Sequence, residues 1–143
     1  MHRVFLVVLL VAALGAGCKK SGTTTSPSST TTSAAAAPTA TDTFNGGLEV
    51  GGSLFFKFTV GVYGTVNVSV TSIGGAGVPA TVQTRLGIGT ITDTGCSNTI
   101  AALAKPGVVG VTASENPGDY CASIADVGNL FAPATFTLTV DHP

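Results

Sequence analysis

The sequence predicts an all-β fold: an antiparallel, jelly-roll-like β-sandwich of about seven to nine short strands over residues 43–143. Three observations predict it. Charged residues make up only 9% of the 143 residues, against about 25% in an average soluble protein, whereas glycine is frequent, at 19 residues. Apolar and polar residues alternate in several segments, which is the period of a half-buried strand. Turn residues separate these segments about every ten residues, as in sandwiches and barrels.

The clearest strand signal is TVNVSVTSI, in which Val66, Val68 and Val70 share one face. The preceding segment, SLFFKFTV, also has two distinct faces. Its predicted buried face consists of Leu54, Phe56, Phe58 and Val60, and its other face of Phe55, Lys57 and Thr59. Because only the short, glycine-bounded GVYG separates the two segments, we expect them to form an antiparallel hairpin.

The remaining predicted strands are TVQTRLGIG, VVGVTAS, YCASIAD and TFTLTV, and IAALA is ambiguous between a strand and a helical turn. The glycines of LGIG fall inside a predicted strand. Glycine in that setting marks a bulge or a close approach of two backbones rather than a phosphate-binding loop. ENPGD is predicted to be a turn because it combines asparagine, proline and glycine.

The first 17 residues have the pattern of a signal peptide. A short basic start, Met1 to Arg3, precedes an unbroken apolar run of 11 residues from Val4 to Leu14. A membrane-spanning helix needs about 20 apolar residues, whereas the apolar region of a secretory signal needs about 7–15. Small residues follow the run, as a signal peptidase requires.

The junction Leu14-Gly15-Ala16-Gly17-Cys18 resembles the signal of bacterial lipoproteins. The resemblance implies that the Cys18 thiol is alkylated with diacylglycerol, that the chain is cut before Cys18, and that the new amino terminus is acylated. Two or more acyl chains anchor a protein stably, whereas one does so only marginally. The sequence departs from the family at Gly15, where the family favours leucine. A secretory signal with an incidental cysteine and an uncleaved short anchor are the alternatives.

Residues 18–42 are predicted to be the lipidated cysteine followed by a disordered linker. The segment after Cys18 is rich in serine, threonine, alanine and proline and has no large apolar side chain. It therefore cannot bury enough surface to offset the entropy of ordering. As a flexible chain it would span roughly 25–30 Å, enough to hold a domain away from lipid headgroups. Lys19 after the cysteine resembles the pattern sent to the outer membrane in bacteria with two membranes.

Assigning Cys18 to the lipid leaves Cys96 and Cys121 as a pair. An exported protein is in an oxidising compartment, so we expect these two cysteines to form a disulfide. It would close a loop of about 25 residues and contribute roughly 3–4 kcal/mol in the chain-entropy description. Two reactive thiols or two metal ligands are the alternatives, although the chain supplies no nearby histidines for a zinc site.

Two further motifs resemble the small β-sandwich domains of exported bacterial proteins similar to the pre-peptidase C-terminal domain. They are the opening Phe44-Asn45-Gly46-Gly47-Leu48-Glu49-Val50-Gly51 and the late Pro117-Gly118-Asp119-Tyr120. In that family the domain is usually an accessory module attached to secreted enzymes. The resemblance therefore implies the fold more directly than it implies a function.

Few residues suit catalysis. After removal of the signal, His142 is the one histidine, and its place beside the carboxyl terminus is typical of a frayed surface residue rather than a general base. Asp119 and Asp126 flank one predicted strand and are the candidate acid pair for glycoside hydrolysis, although such acids normally cap turns. We therefore expect no enzyme, no catalytic residues and no cofactor, with a minimal secreted hydrolase as the weakest alternative.

The candidates for ligand binding are limited to a few side chains. Four residues in or near loops offer the hard oxygen ligands that calcium prefers: Asp93, Asp119, Asp126 and Asn129. Tyr63, in the GVYG turn, is the aromatic residue best placed for a sugar platform, unless it packs on the edge of the sandwich. Nucleic acid is excluded as a partner because Lys19-Lys20 is the only basic cluster.

These observations lead to one expectation of function and one main alternative. The expected protein is a non-enzymatic lipoprotein of the bacterial cell envelope, held to the membrane at Cys18, whose β-sandwich has a binding or structural role toward a protein or glycan partner. The alternative is a carbohydrate- or calcium-dependent adhesion module.

Overall fold

The computed structural model describes residues 33–143, and the eight strands in this range are paired antiparallel, with no helix among the described residues. The strands are β1 (Ala40–Leu48), β2 (Ser53–Val60), β3 (Gly64–Gly74), β4 (Thr84–Thr92), β5 (Gly95–Ala104), β6 (Val108–Glu115), β7 (Gly118–Asp126) and β8 (Ala134–His142). The predicted all-β class is confirmed, and the ambiguous IAALA segment lies in β5. Residues 33–143 contain no helix long and apolar enough to cross a membrane.

The strands form two four-stranded sheets. The first sheet has the order β1-β8-β3-β6 and the second the order β2-β7-β4-β5. Successive strands alternate between the sheets, except for the β4–β5 hairpin. Eight strands in two sheets with this order form a jelly roll, as the sequence predicts.

The hydrophobic core lies between the two sheets. Val66, Val68 and Val70 of β3 are fully buried there, in agreement with the alternation seen in the sequence. The core is mainly aliphatic, and phenylalanine rings pack against it. The ring of Phe56 stacks on that of Phe44 at a centroid distance of 4.7 Å and meets that of Phe136 edge-on at 6.0 Å. Full burial of a valine, leucine, isoleucine or phenylalanine side chain contributes about 1.5–3 kcal/mol, so this core is the main source of stability.

The expected hairpin between the second and third strands is wrong. β2 pairs with β7, whereas β3 pairs with β6 and β8 in the other sheet. The apolar faces of β2 and β3 belong to one core cluster, so the link between them carries the chain from one sheet to the other. The alternation of each strand was correct, but alternation fixes the buried face of a strand and does not fix its partner.

The folded domain begins before the predicted boundary at Thr43. β1 starts at Ala40, and Thr41 and Asp42 are paired with Asp141 and Val140 of β8. Farther upstream, the N–H of Ala36 donates to the carbonyl of Tyr63 at 3.1 Å. These residues are polar or small, so the hydrophobic pattern gave no sign of the strand. Residues 1–32, with the signal peptide, Cys18 and most of the linker, lie outside the described residues.

The two motifs of the second resemblance form turns and core contacts. A Cβ at Gly46 would lie 2.9 Å from Cζ of Phe136, so the glycine allows that ring to pack against β1. Gly51, in the β1–β2 turn, has a φ of 69°, which favours glycine. At the β6–β7 turn the Tyr120 hydroxyl donates to the carbonyl of Asn116 at 3.0 Å. Burial, followed by the negative charge of Glu115, raises the pKa of Tyr120.

Candidate binding groove

The second sheet has an outer face that points away from the core. Because side chains alternate along a strand, Phe56 and Ile124 contribute to the core, while Phe55 of β2 and Ser123 of β7 lie on the outer face. Phe55 is paired in register with Ser123, which is paired on its other side with Gly87 of β4. These three residues form one row across the sheet.

Cys96 of β5 and Cys121 of β7 are joined by a disulfide, with a Cα–Cα distance of 5.8 Å. This is the pairing that the sequence predicts, so in this structure the two cysteines are neither free thiols nor metal ligands. β4 lies between β5 and β7, and strands on either side of a middle strand are normally about 9.5 Å apart. The start of β5 must therefore leave the plane of the sheet and pass over β4.

Gly89 makes this crossing possible. A Cβ at Gly89 would overlap the carbonyl oxygen of Ser97 in β5, so no larger residue fits there without a shift of the backbone. The register between β4 and β5 also changes at this point, because Ile88 pairs with Ile100 but Gly89 pairs with Asn98. The sequence predicts a bulge or a close backbone approach at the LGIG glycines, and both occur.

Gly87 has the same role one row away. A Cβ there would lie 2.6 Å from the side-chain oxygen of Asn98, which therefore sits directly over the glycine. That oxygen accepts a hydrogen bond from the hydroxyl of Ser123 at 2.9 Å. A hydrogen bond and a disulfide thus connect β5 to β7 across β4, above two residues that have no side chain.

The curled start of β5 forms one wall of a groove on the outer face, with a volume of about 370 Å³. The opposite wall is β2, with Ser53 and Phe55, and the floor contains Ser123 and Ala125 of β7. Phe55 is 39% exposed, although its position on a solvent-facing strand surface would suit a polar residue. Small-ligand sites are typically concavities of about 300–1,000 Å³ with aromatic walls and a few polar groups.

Two basic residues lie on the outer face at diagonally opposite corners of the groove, outside its lining. Lys57 follows Phe55 by two residues on the same face of β2 and is in register with Cys121. Arg85 lies on the outer face of β4, in register with Ala125 of the groove floor. Within residues 33–143 the one close contact between a basic and an acidic side chain is that of His142 with Asp42, so neither Lys57 nor Arg85 is paired with a described carboxylate.

Asp126, a candidate calcium ligand, holds two loops together through hydrogen bonds. Its Oδ1 accepts hydrogen bonds from the backbone N–H groups of Gly128, Asn129 and Leu130 at 3.0–3.2 Å, and its Oδ2 accepts one from Gly51 at 2.8 Å. Burial acts to raise the pKa of Asp126, but the four hydrogen bonds outweigh it and hold that pKa below its usual value.

The other calcium candidates do not join Asp126 in a cluster. The side-chain amide of Asn129 donates to the carbonyl of Gln83, the Asp119 carboxylate accepts from Thr59, and Asp93 lies in the β4–β5 turn. No group of three acidic, histidine or cysteine residues suited to a metal ion occurs in the part of the chain that the structure describes.

Asp119 and Asp126 are not an acid pair for glycoside hydrolysis. They lie near opposite ends of β7, seven residues apart, which corresponds to about 23 Å along a strand. The two carboxylates of glycosidases are about 5–9.5 Å apart. The sequence suggested a pair because the two residues flank one strand, but the two ends of an extended strand are far apart.

The expectation that His142 is frayed is wrong. The residue ends β8, its side chain is 12% exposed, and its Nε2 lies 3.2 Å from Oδ2 of Asp42 in β1. Its ring also packs near Phe58, at a centroid distance of 5.8 Å. β1 and β8 pair up to Ala40 and His142, so the carboxyl-terminal strand is held against the start of the domain.

Sequence reasoning identified neither the groove nor the residues that form it. Alternation did assign Phe55 and Lys57 to the outer face, and an aromatic residue there was the one available signal. The contributions of Asn98, Ser123 and Arg85 depend on the path of β5 over β4, which no local pattern encodes. Tyr63, the platform suggested by the sequence, lies in the β2–β3 link with its ring 38% exposed, away from these residues.

Comparisons with known proteins add no relationship to this description. Neither a protein-family model nor a curated protein sequence matches the chain.

Proposed function

We propose that the chain is a lipid-anchored protein of the bacterial cell envelope that presents a non-enzymatic jelly-roll domain for binding or structural interaction. The observation that carries the binding role is the groove on the outer face of the second sheet. Its wall is fixed by the disulfide between Cys96 and Cys121 and by the hydrogen bond between Asn98 and Ser123. A surface that is fixed before a ligand arrives loses less entropy on binding, which favours affinity.

The anchor in this proposal rests on the sequence around Cys18. An apolar run, three small residues and a cysteine stand in the order of a lipoprotein signal, and a polar linker separates them from the folded domain. The disulfide supports export, because such bonds persist in oxidising compartments outside the cytoplasm. In a bacterium with two membranes, Lys19 favours the outer membrane as the location.

The contacts of the titratable side chains support the non-enzymatic role in this proposal. The carboxylate of Asp126 accepts four backbone N–H groups, that of Asp119 accepts the hydroxyl of Thr59, and the imidazole of His142 faces Asp42. Each of these groups has a structural partner, and none of them lines the groove. The groove therefore suits binding better than acid–base chemistry.

Substitution of Cys18 tests the anchor. In Cys18→Ser we expect loss of radiolabelled fatty acid from the protein, accumulation of the uncut precursor, and loss of the mature form from the membrane fraction. Gly17→Ala is the matched control because it keeps a small residue at the cleavage junction and leaves the thiol in place. A Cys18→Ser protein that is equally membrane-bound and equal in mass to the mature wild type would reject the proposal.

Thermal unfolding tests the alternative function, a calcium-dependent adhesion module. A ligand specific to the native state raises Tm by mass action. Because the carboxylate of Asp126 already accepts four backbone hydrogen bonds, we expect the same Tm in millimolar calcium as in a chelator. A rise in Tm of several degrees in calcium would favour the calcium-dependent adhesion module.

A further inference from the structure

We propose that the groove binds an acidic glycan, whose pyranose rings bear carboxylates, with one ring against Phe55 and carboxylates of neighbouring units held by Lys57 at one corner of the groove and by Arg85 at the opposite corner. This inference rests on the proposed binding role of the domain and adds the chemical class of the ligand. The groove, the aromatic ring and the two cations are separate observations that lead to the same class.

The aromatic wall favours a ring-shaped ligand with an apolar face. Phe55 exposes 39% of its surface on the side of the sheet away from the core, and this exposed apolar surface is in contact with water. Covering exposed apolar surface is favourable by roughly 25 cal/mol for each Å² removed from water. The face of an aromatic ring carries partial negative charge, which attracts the polarised C–H groups on one side of a pyranose.

The polar lining supplies hydrogen bonds for hydroxyl groups. The side-chain oxygen of Asn98 is occupied by Ser123, so the amide N–H₂ of Asn98 is the group left to donate. The hydroxyl of Ser53 lies on the opposite wall. A ligand with several hydroxyl groups is therefore matched better than a purely apolar one.

The charges favour an anion. The described residues include three basic and seven acidic side chains, and two of the three basic ones, Lys57 and Arg85, flank the groove on its outer face. Two acids are also near: Asp119, on the outer face of β7 beyond Cys121, accepts the hydroxyl of Thr59, and Asp93 precedes the lining residues Thr94 and Gly95. Two of the three basic residues but only two of the seven acids are therefore near the groove, which makes its surroundings less acidic than the domain as a whole, and a guanidinium matches the two oxygens of a carboxylate.

The dimensions favour a small ligand or one unit of a longer glycan. A volume of about 370 Å³ is near the lower end of the range for small-molecule sites. The floor is made of short side chains, Ser123 and Ala125, so a flat ring can approach the sheet. The disulfide and the Asn98 hydrogen bond hold the wall in place, so the site does not depend on closure around the ligand.

Titration of the full chain in mild detergent with a tetramer of galacturonic acid, followed by calorimetry, tests this inference. We expect saturable binding that weakens as salt is raised. The methyl ester of the same tetramer, which lacks the charges, should bind at least tenfold more weakly. Phe55→Ala should weaken binding about tenfold, and Lys57→Gln and Arg85→Gln several-fold each.

Two variants are matched controls. Lys105→Gln removes the third basic residue, which lies in the β5–β6 link, and Phe131→Ala removes an aromatic ring that is 82% exposed in the β7–β8 loop. Both should bind the tetramer as the wild type does, and the Tm of each variant confirms that it is folded. Absence of binding at millimolar tetramer, equal binding of the ester, or equal losses in the control variants would overturn the inference. Cys18→Ser protein in the same titration separates the two proposals, because a failed anchor changes fractionation and leaves the groove unchanged.

Discussion

The side-chain oxygen of Asn98 accepts a hydrogen bond of 2.9 Å from Ser123, although the two residues belong to strands that are not neighbours. The bond passes over Gly87 of β4, and the disulfide between Cys96 and Cys121 passes over the same strand near Gly89. β5 is therefore connected to β7 twice on the outer face of the second sheet. These two connections shape the proposed binding groove, and the glycines of β4 are the condition for both.

Gly89→Ala is predicted to destabilise the domain by about 1–3 kcal/mol, the usual cost of inserting a methyl group where there is no space. The new Cβ would overlap the backbone of Ser97, which cannot move without disturbing the register of β5. Gly47→Ala is the control because no atom lies within 4 Å of the Cβ it would add. Urea unfolding should show a lower midpoint for Gly89→Ala alone, and equal midpoints for both variants would contradict this account.

Removal of the disulfide by the double substitution Cys96→Ala and Cys121→Ala is predicted to cost roughly 3–4 kcal/mol, because the unfolded chain loses a constraint on a loop of about 25 residues. For a domain of this size, Tm should fall by about 10–30 °C. Reduction of the wild type should lower Tm by a similar amount. A domain whose Tm is insensitive to both changes would mean that the disulfide adds nothing to stability.

Asp126→Asn is predicted to destabilise the domain by about 1–3 kcal/mol at neutral pH, because the carboxylate accepts four backbone N–H groups from two loops. The folded state lowers the pKa of Asp126, so its contribution is present above the ordinary aspartate value of about 3.9 and is lost as the pH falls through the lower folded pKa. Unfolding free energies of the wild type should therefore fall in acid more steeply than those of the variant. Asp93→Asn, in the β4–β5 turn, is the control and should retain the steep profile of the wild type.

Tyr120→Phe is predicted to cost about 0.5–1.5 kcal/mol, since it removes the hydrogen bond to the carbonyl of Asn116 and keeps the ring. The fold raises the pKa of Tyr120, so the contribution of the neutral phenol is full below about pH 10 and is lost as the pH rises through the folded pKa. Tyr63→Phe, in the β2–β3 link, should leave stability unchanged. Denaturant unfolding between pH 7 and 11 compares them, and identical profiles for the two variants would rule out the proposed role of the hydroxyl.

Strand predictions that depend on local interactions were correct, whereas the prediction of strand pairing, which depends on residues far apart in the sequence, was wrong. Alternation in the segment containing Val66 and Val68 correctly gave a strand and its buried face, because a half-buried strand has a local period. The hairpin expected between β2 and β3 was wrong, because strand partners in a jelly roll are distant in sequence. β8 pairs with β1, which is about 90 residues away, and no short window contains both strands.

The groove was inaccessible to sequence reasoning for a related reason. Gly87 and Gly89 indicated a close approach, but the identity of the approaching residue, Asn98, depends on the path of β5. The prediction that His142 is frayed was wrong because it used only the local position of the residue in the chain. Proximity to the end of a chain suggested fraying, but the residue is the last of a strand that is paired along its full length with β1.

The pairing of β1 with β8 also has a consequence for biogenesis. β1 is an edge strand whose one neighbour in the sheet is β8, and β8 also separates β1 from β3. Until residues 134–142 emerge from the ribosome, the first sheet lacks the strand that joins its two halves. Contacts between sequence-distant strands also form slowly. The first sheet therefore stays incomplete until β8 has been synthesised, and residues 40–48 remain without their strand partner for most of the time that the domain takes to be made.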